Sequence, residues 1–225
     1  MLNIVIADDH PLFRTALVAT LTKTLTEVNL LEASDFSTLQ KSIDHHSDID
    51  LILLDLHMPG AEGFSVLVYL TAHYPQVPVI VVSAHEEPVV MQRAIDHGAS
   101  GFLPKSSSSS IISEAIDAVL AGKLWLPAGF SSKKVIVDAE KNAATAFAAL
   151  TPQQCRVAIM VYQGLLNKQI AHELHVTEAT IKAHMTEIFK KFGVHSRTQI
   201  VLAVGQLAVS SQQFIDDIIL ADSEL

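Results

Sequence analysis

The chain of 225 residues has one cysteine, Cys155. It can form no internal disulfide, and a lone thiol of this kind reads as a small core residue in a reducing compartment. No apolar run approaches the roughly 20 residues that a bilayer-spanning helix needs, although 49% of the residues are hydrophobic and suffice for a full core. The N-terminus lacks a basic stretch and reaches Asp8-Asp9 at once, so no secretory signal is expected. These absences exclude an internal disulfide framework and a membrane helix, and they predict a cytoplasmic protein without a membrane partner. The length suits one or two domains.

Positive charge is also scarce, and the net charge is -9. Its distribution is uneven. Residues 1–125 hold 6 Lys+Arg against 15 Asp+Glu, residues 150–208 hold 6 against 3, and residues 209–225 hold four acids and no base. An acidic module, a basic module and an acidic tail imply different partners for different parts. A small positive balance does not establish nucleic-acid binding, so the motifs must decide.

Over residues 1–121 short apolar runs alternate with helical periodicity. Strands are predicted at Leu2–Ala7, Val28–Ala33, Leu51–Asp55, Val77–Ser83 and Gly101–Leu103. Helices are predicted at Pro11–Thr22, Phe36–His46, Phe64–Tyr74, Pro88–His97 and Ile111–Ala121. Uninterrupted apolar strands suit a parallel sheet covered on both faces, and five such units give an α/β doubly wound sandwich. The serines of 106–110 are expected to cap the last helix. Residues 122–149 read as a linker, partly helical over Ala139–Leu150. Residues 150–208 read as a four-helix, all-α domain with a helix-turn-helix pattern, opened by Thr151-Pro152-Gln153-Gln154. Thr177 and the Ser196–Gln199 box start its later helices, and Asn167 is expected to cap its second. The acidic tail 209–225, with Phe214, Ile215, Ile218, Ile219 and Leu220, suggests a short amphipathic helix.

If the apolar runs are neighbouring parallel strands, Asp8, Asp9, Asp55, Ser83 and Lys105 gather at one sheet edge, where open α/β sheets bind ligands. Gathered carboxylates repel unless a cation offsets them. A hard divalent ion such as Mg²⁺ takes one or two carboxylates, waters and phosphate oxygens, which fits Asp8, Asp9 and Asp55. A carboxylate can act as nucleophile and become an aspartyl phosphate, with Lys105 and Ser83 placed to meet phosphoryl oxygens.

Together Ala7–Arg14, Asp55 with Met58-Pro59-Gly60 and Gly63, Ser83-Ala84 and Gly101–Lys105 resemble the receiver domain of two-component response regulators, a flavodoxin-like fold. The resemblance implies Asp55 as phospho-acceptor, Asp9 as direct metal ligand, Asp8 as a ligand through water, and the His57 backbone carbonyl as a further ligand. It implies that Ser83 turns toward the phosphoryl group while the ring of Phe102 moves inward. The family often has tyrosine there; Phe102 has no hydroxyl to donate.

In the basic module, Ile181, Met185, Ile188, Phe189 and Phe192 form an apolar stripe, with Lys182, Ala183, Thr186 and Lys190 on the other face. Such a row suits a helix lying in the major groove, with Lys168, Lys191 and Arg197 on phosphates. Leu150-Thr151-Pro152, Gly164–Ala171, Val176–His184 and Phe192–Gln199 resemble the LuxR/NarL-type helix-turn-helix. That resemblance implies base contacts from Lys182, Ala183 and Thr186 by a homodimer on double-stranded DNA. Gln154 departs from the family's usual glutamate. Thr186 departs from a longer basic or amide side chain in several relatives.

The expected protein is a response regulator and DNA-binding transcription factor of this type, not an enzyme. It would be activated by Mg²⁺-dependent phosphorylation of Asp55 from a sensor histidine kinase or small phosphodonor. A phosphorylation-independent DNA-binding regulator is the alternative. A protein-binding adaptor whose helix-turn-helix never meets DNA is another. A dehalogenase-type phosphatase is disfavoured because imidazole, in His57, stands where that chemistry places a second carboxylate.

Overall fold

The computed structural model describes residues 1–130 and 136–209. Its compact units divide between Ile136 and Val137. In the first unit the apolar runs become β1 (Leu2–Ala7), β2 (Val28–Ala33), β3 (Leu51–Asp55), β4 (Val79–Ser83) and β5 (Gly101–Pro104). They pair in parallel in the order β2-β1-β3-β4-β5. Between them run α1 (Pro11–Thr24), α2 (Phe36–His45), α3 (Ser65–His73) and α4 (Pro88–Asp96), and α5 (Ser109–Leu120) follows. Ile4, Ile6, Leu51, Leu53, Ile80, Val82 and Leu103 pack against Leu17 and Leu21 of α1 and Ala115, Ile116 and Val119 of α5. Strand residues of the other parity point to the opposite face. Each fully buried Leu or Ile contributes about 1.5–3 kcal/mol relative to exposure. This layer therefore holds the sandwich, and the polar residues at its rim are free for other work.

Several boundaries differ from expectation for local reasons. β4 begins at Val79, not Val77, because Pro78 has no N–H for the ladder; its carbonyl accepts from the Ile52 amide at 3.0 Å. Ser108 occupies the N-cap of α5, but its hydroxyl lies 2.9 Å from that of Ser110 and caps no backbone amide. A pairing absent from the expected linker lies beside β5. The Trp125 amide donates to the Ser100 carbonyl at 3.2 Å, and the Phe102 amide donates to the Trp125 carbonyl at 3.1 Å. The start of the linker thus covers an otherwise open sheet edge.

The second unit holds α6 (Asp138–Ala148), α7 (Pro152–Tyr162), α8 (Asn167–Glu173), α9 (Glu178–Phe192) and α10 (Arg197–Gly205). The partly helical linker is α6, which packs on α9 and α10 and buries Ala143 and Phe147. Thr151 with Gln154 and Ser196 with Gln199 form the expected capping boxes, and Thr177 caps α9. Asn167 does not cap α8. It is the first helical residue, and the free Leu166 amide donates instead to Gln169 Oε1 at 2.7 Å. Gly193, at φ 64°, closes α9 in the left-handed conformation that disfavours a Cβ. Cys155 is fully buried among apolar neighbours, and burial raises its pKa. Phe189 and Phe192 are only half-buried, whereas Ile181, Met185 and Ile188 are buried. The expected amphipathic tail lies outside the described residues. Among the described residues no helix is long and apolar enough to cross a membrane.

Candidate functional site

The strand order reverses around β1 and β3, which are neighbours although β2 lies between them in the chain. Ligands of open α/β sheets bind at such a switch point, outside the carboxyl ends of the strands. Asp8 and Asp9 follow the last residue of β1, Asp55 ends β3, Ser83 ends β4, and Lys105 follows β5. Topology alone therefore brings these five residues, scattered over 98 positions of sequence, to one edge.

Asp55 is almost fully buried, with 3% of its side chain exposed. Its Oδ2 accepts from Lys105 Nζ at 2.8 Å, and its Oδ1 accepts from the His57 amide at 3.2 Å. Lys105 also lies 2.7 Å from Asp8 Oδ2, and its ammonium stands 4.9 Å from the centre of the Phe13 ring. One ammonium thus stands between two carboxylates. Burial pushes the Asp55 carboxyl above its usual range, against the opposing pull of Lys105; Asp8 adds to the rise. Burial works to lower the Lys105 pKa, but bonds and charge from Asp55 and Asp8 outweigh it and leave the ammonium held above its ordinary value. Burial lowers the pKa of the His57 imidazole, which stacks at 5.1 Å on that of His85.

Asp8 Oδ1 accepts from the His10 amide at 2.7 Å. Asp8 Oδ2 and Asp9 Oδ1 are buried without an aligned hydrogen bond, although Lys105 Nζ and His10 Nδ1 stand close by. Donor atoms of Asp8, Asp9, His10 and Asp55 all fall within 4.8 Å of one another. An acidic cluster of this kind, with one ammonium against three carboxylates, draws divalent cations. Ser83 is fully buried, and its Oγ accepts from the His85 amide at 3.1 Å. The hydroxyl proton is therefore not committed by that bond. Phe102 is fully buried, so its ring already occupies the inward position that was expected only on activation.

In the second unit α8, a turn with His175 at φ 53° and α9 make the helix-turn-helix. Lys182, Ala183, Thr186 and Lys190 are exposed along one row of α9, and Lys168 is exposed on α8. Thr186 Oγ1 donates back to the Lys182 carbonyl at 3.0 Å, leaving its lone pairs and methyl outward. Two residues expected on phosphates have other employment in the free chain. Lys191 Nζ donates to Gln154 Oε1 at 2.6 Å and to the Ala149 carbonyl at 2.8 Å. Arg197 donates to the carbonyls of Val161 and Leu165. Both tie helices together by capping backbone carbonyls, a job that a basic residue's position in sequence does not reveal.

Residues 4–117 match the response regulator receiver domain family, and residues 148–204 match the bacterial regulatory proteins of the luxR family. A phospho-receiver sandwich joined to a helix-turn-helix is the class that the fold and both sites define. The chain belongs to the response regulators with a LuxR-type DNA-binding domain, a family of transcription regulators. It is 38% identical over 213 residues to the glycerol metabolism activator of Pseudomonas putida, covering 92% of this chain and 96% of that one. It is 32% identical over 214 residues to the nitrate/nitrite response regulator protein NarL of Escherichia coli, covering 91% and 95%. The RcsB response regulator of Salmonella typhimurium shares the fold at a TM-score of 0.54 and 23% identity, covering 91% and 98%. The non-phosphorylated receiver domain of RcsB from Escherichia coli matches 56% of this chain and 98% of its own, at 25% identity and a TM-score of 0.52.

Proposed function

We propose that Asp55 is the phospho-acceptor, that the acidic pair holds Mg²⁺ for the transfer, and that the resulting charge change controls DNA binding by α9. The observation that carries this reading is the placement of Asp55, Asp8 and Lys105 within 2.8 Å contacts at the topological switch point. A carboxylate oxygen of Asp55 attacks the phosphorus of a phosphohistidine on a sensor kinase, or of a small acyl phosphate. The new P–O bond forms as the P–N or P–O bond to the donor breaks, and the donor leaves with the electron pair. Lys105 then shifts from the Asp55 oxygen toward a phosphoryl oxygen, and the Ser83 hydroxyl donates to another. The two buried oxygens without aligned partners, on Asp8 and Asp9, fit a cation. With the His57 carbonyl they would hold Mg²⁺, whose chemistry here is to neutralise charge on the transferring group.

The signal is a local charge change that biases a two-state surface. Ser83 pairs with Pro104 and Val81 with Phe102 in the β4–β5 register, so a change at Ser83 is passed along β5 to the linker strap. Dimer formation then brings two copies of α9 to double-stranded DNA, where Lys182, Ala183 and Thr186 meet base edges and Lys190 and Lys168 meet phosphates. A coupling of ~100-fold corresponds to only about 3 kcal/mol. None of this requires turnover, and the chain acts as a regulator and not as an enzyme. The test is incubation with a small acyl phosphate and Mg²⁺, followed by phosphate-affinity electrophoresis. Wild type is expected to show a retarded, hydroxylamine-sensitive band that Asp55→Asn lacks; an equal band in both chains would refute the assignment.

A further inference from the structure

His10 stands at the mouth of the acidic pocket, its side chain 63% exposed, beside the three carboxylates. We propose that its imidazole is a direct ligand of the divalent-cation site, making the pocket favour first-row ions such as Mn²⁺ over Mg²⁺. The inference rests on the proposed cation role of Asp8, Asp9 and Asp55, and it adds a nitrogen to their oxygens.

Three observations carry it. First, His10 Nδ1 lies 2.7 Å from Asp9 Oδ1, 3.5 Å from Asp8 Oδ1 and 3.8 Å from Asp55 Oδ2. Around an octahedral ion with bonds of about 2.1 Å, adjacent ligand atoms stand about 3 Å apart and opposite ones about 4.2 Å. The three separations fall close to that range, and the four donor atoms lie within 4.8 Å of one another, so one ion can touch all four residues after the ring and carboxylates draw in. Second, Asp8 is 3% exposed and its Oδ2 lies 2.7 Å from the Lys105 ammonium, while the buried Asp9 Oδ1 faces His10 Nδ1 at 2.7 Å, so both oxygens already turn toward positive or nitrogen groups in the pocket. Buried lone pairs aimed into a pocket are what a cation site offers. Third, the backbone of His10 is held in place. It precedes Pro11, which disfavours the helical region for residue 10, and it sits at φ -86° and ψ 103° as the N-cap of α1. Its amide donates to Asp8 Oδ1, so the ring leaves a fixed point next to the carboxylates.

The chemistry gives the selectivity. Mg²⁺ prefers oxygen, keeps its waters and gains little from imidazole, whereas first-row transition ions bind imidazole well. A mixed carboxylate and imidazole set therefore raises affinity for Mn²⁺ without a matching rise for Mg²⁺.

Full-length protein loaded with Mn²⁺ and studied by pulsed electron paramagnetic resonance tests this directly. Wild type is expected to show ¹⁴N modulation from a directly bound imidazole, and His10→Ala to lose it. The variant keeps the main-chain amide bond to Asp8, and circular dichroism checks its fold. Its Mn²⁺ affinity should fall at least about tenfold, the lower end of what loss of even an outer-shell partner does. Its Mg²⁺ affinity, read by competition, should stay nearly unchanged. Absence of ¹⁴N modulation in wild type, or an equal fall for both ions, would overturn the proposal. If Mg²⁺ with acyl phosphate still modifies Asp55 in that case, only the role of His10 falls. If neither ion binds and Asp55 stays unmodified, the phosphorylation reading falls with it.

Discussion

Phe102 and Trp125 are joined through their backbones on the rim of the sheet, the Phe102 amide donating to the Trp125 carbonyl at 3.1 Å. Phe102 follows Gly101 in β5, and a Cβ built on Gly101 would meet the Trp125 carbonyl oxygen at 3.2 Å and Val119 Cγ2 at 3.3 Å. The linker can zip onto β5 because residue 101 has no side chain. Larger side chains there must push the strap away, at about 1–3 kcal/mol for overpacking.

Gly101→Val is therefore expected to detach the strap. Trp125 is the sole tryptophan, so acrylamide quenching of its fluorescence reports the change without labels. Quenching should rise in the variant, and in wild type it should change on acyl-phosphate loading. Identical quenching curves for Gly101→Val and wild type would show that the strap does not depend on the missing side chain.

The pair formed by Lys105 and Asp55 gives a pH signature in metal-free buffer. The folded-state pKa of Asp55 is raised above 3.8, so between that value and the raised one the folded chain binds the proton more readily than the unfolded chain. Stability contributed by this group then falls as pH rises through that window, and above it the buried charge is fully destabilising. Lys105 has the opposite sense. Its folded pKa is raised above 10.5, so its contribution is complete below 10.5 and is lost as pH climbs through the raised value. Urea midpoints of Asp55→Asn relative to wild type should shift upward as pH rises above 3.8 through the raised folded value, in the direction linkage requires. Lys105→Met should lower the midpoint at neutral pH, because losing one partner of a buried pair costs about 3 kcal/mol. Added Mg²⁺ should restore part of it. A midpoint unaffected by Lys105→Met would mean that the two carboxylates do not depend on that ammonium.

In the DNA-binding unit, Gln154 Oε1 accepts from both Lys191 Nζ and the Thr151 amide. Gln154→Glu would put a charge on the acceptor as well as on the Lys191 donor, turning an ammonium–amide bond into a shorter and stronger ammonium–carboxylate one. Thermal denaturation should show a gain of about 0.5–1 kcal/mol. A loss in the variant would indicate that the amide group makes a contact that the carboxylate cannot.

The basic residues separate into two groups by geometry, and mutants should follow. Lys182→Ala removes an exposed side chain and should leave the fold intact while weakening specific DNA binding by about 1–3 kcal/mol. Arg197→Ala removes the donor to the Val161 and Leu165 carbonyls and should lower the melting temperature first. Thermal melts beside DNA titrations distinguish the two. Equal melting temperatures, with equal losses of DNA affinity, would place Arg197 on the phosphates after all.

Strands β1, β3 and β4 were legible because buried parallel strands read as apolar runs, here ending at or just before Asp8, Asp55 and Ser83. By contrast β2, an edge strand, carries Asn29 and Glu32 and is only partly buried. The helix starts at Thr151, Thr177 and Ser196 were legible because capping is a local hydrogen bond between near neighbours. What sequence hid is set by tertiary contact. Nothing near Trp125 announces that it pairs with β5, and no local rule assigns Lys191 and Arg197 to carbonyls of distant helices. His10 stood in plain view beside Asp8-Asp9, but only the packing of β1 against β3 puts its ring among the carboxylates. The inward Phe102 ring likewise follows from sheet packing and not from a signal at position 102.

The central claim is that modification of Asp55 changes DNA affinity. Fluorescence anisotropy with a labelled promoter duplex, at fixed salt and with and without acyl phosphate and Mg²⁺, measures this directly. Wild type should tighten by roughly 10- to 100-fold on loading, a coupling of about 1.4–3 kcal/mol, and Asp55→Asn should stay at the unloaded value. An unloaded wild type that binds as tightly as the loaded one, with Asp55→Asn matching both, would contradict it.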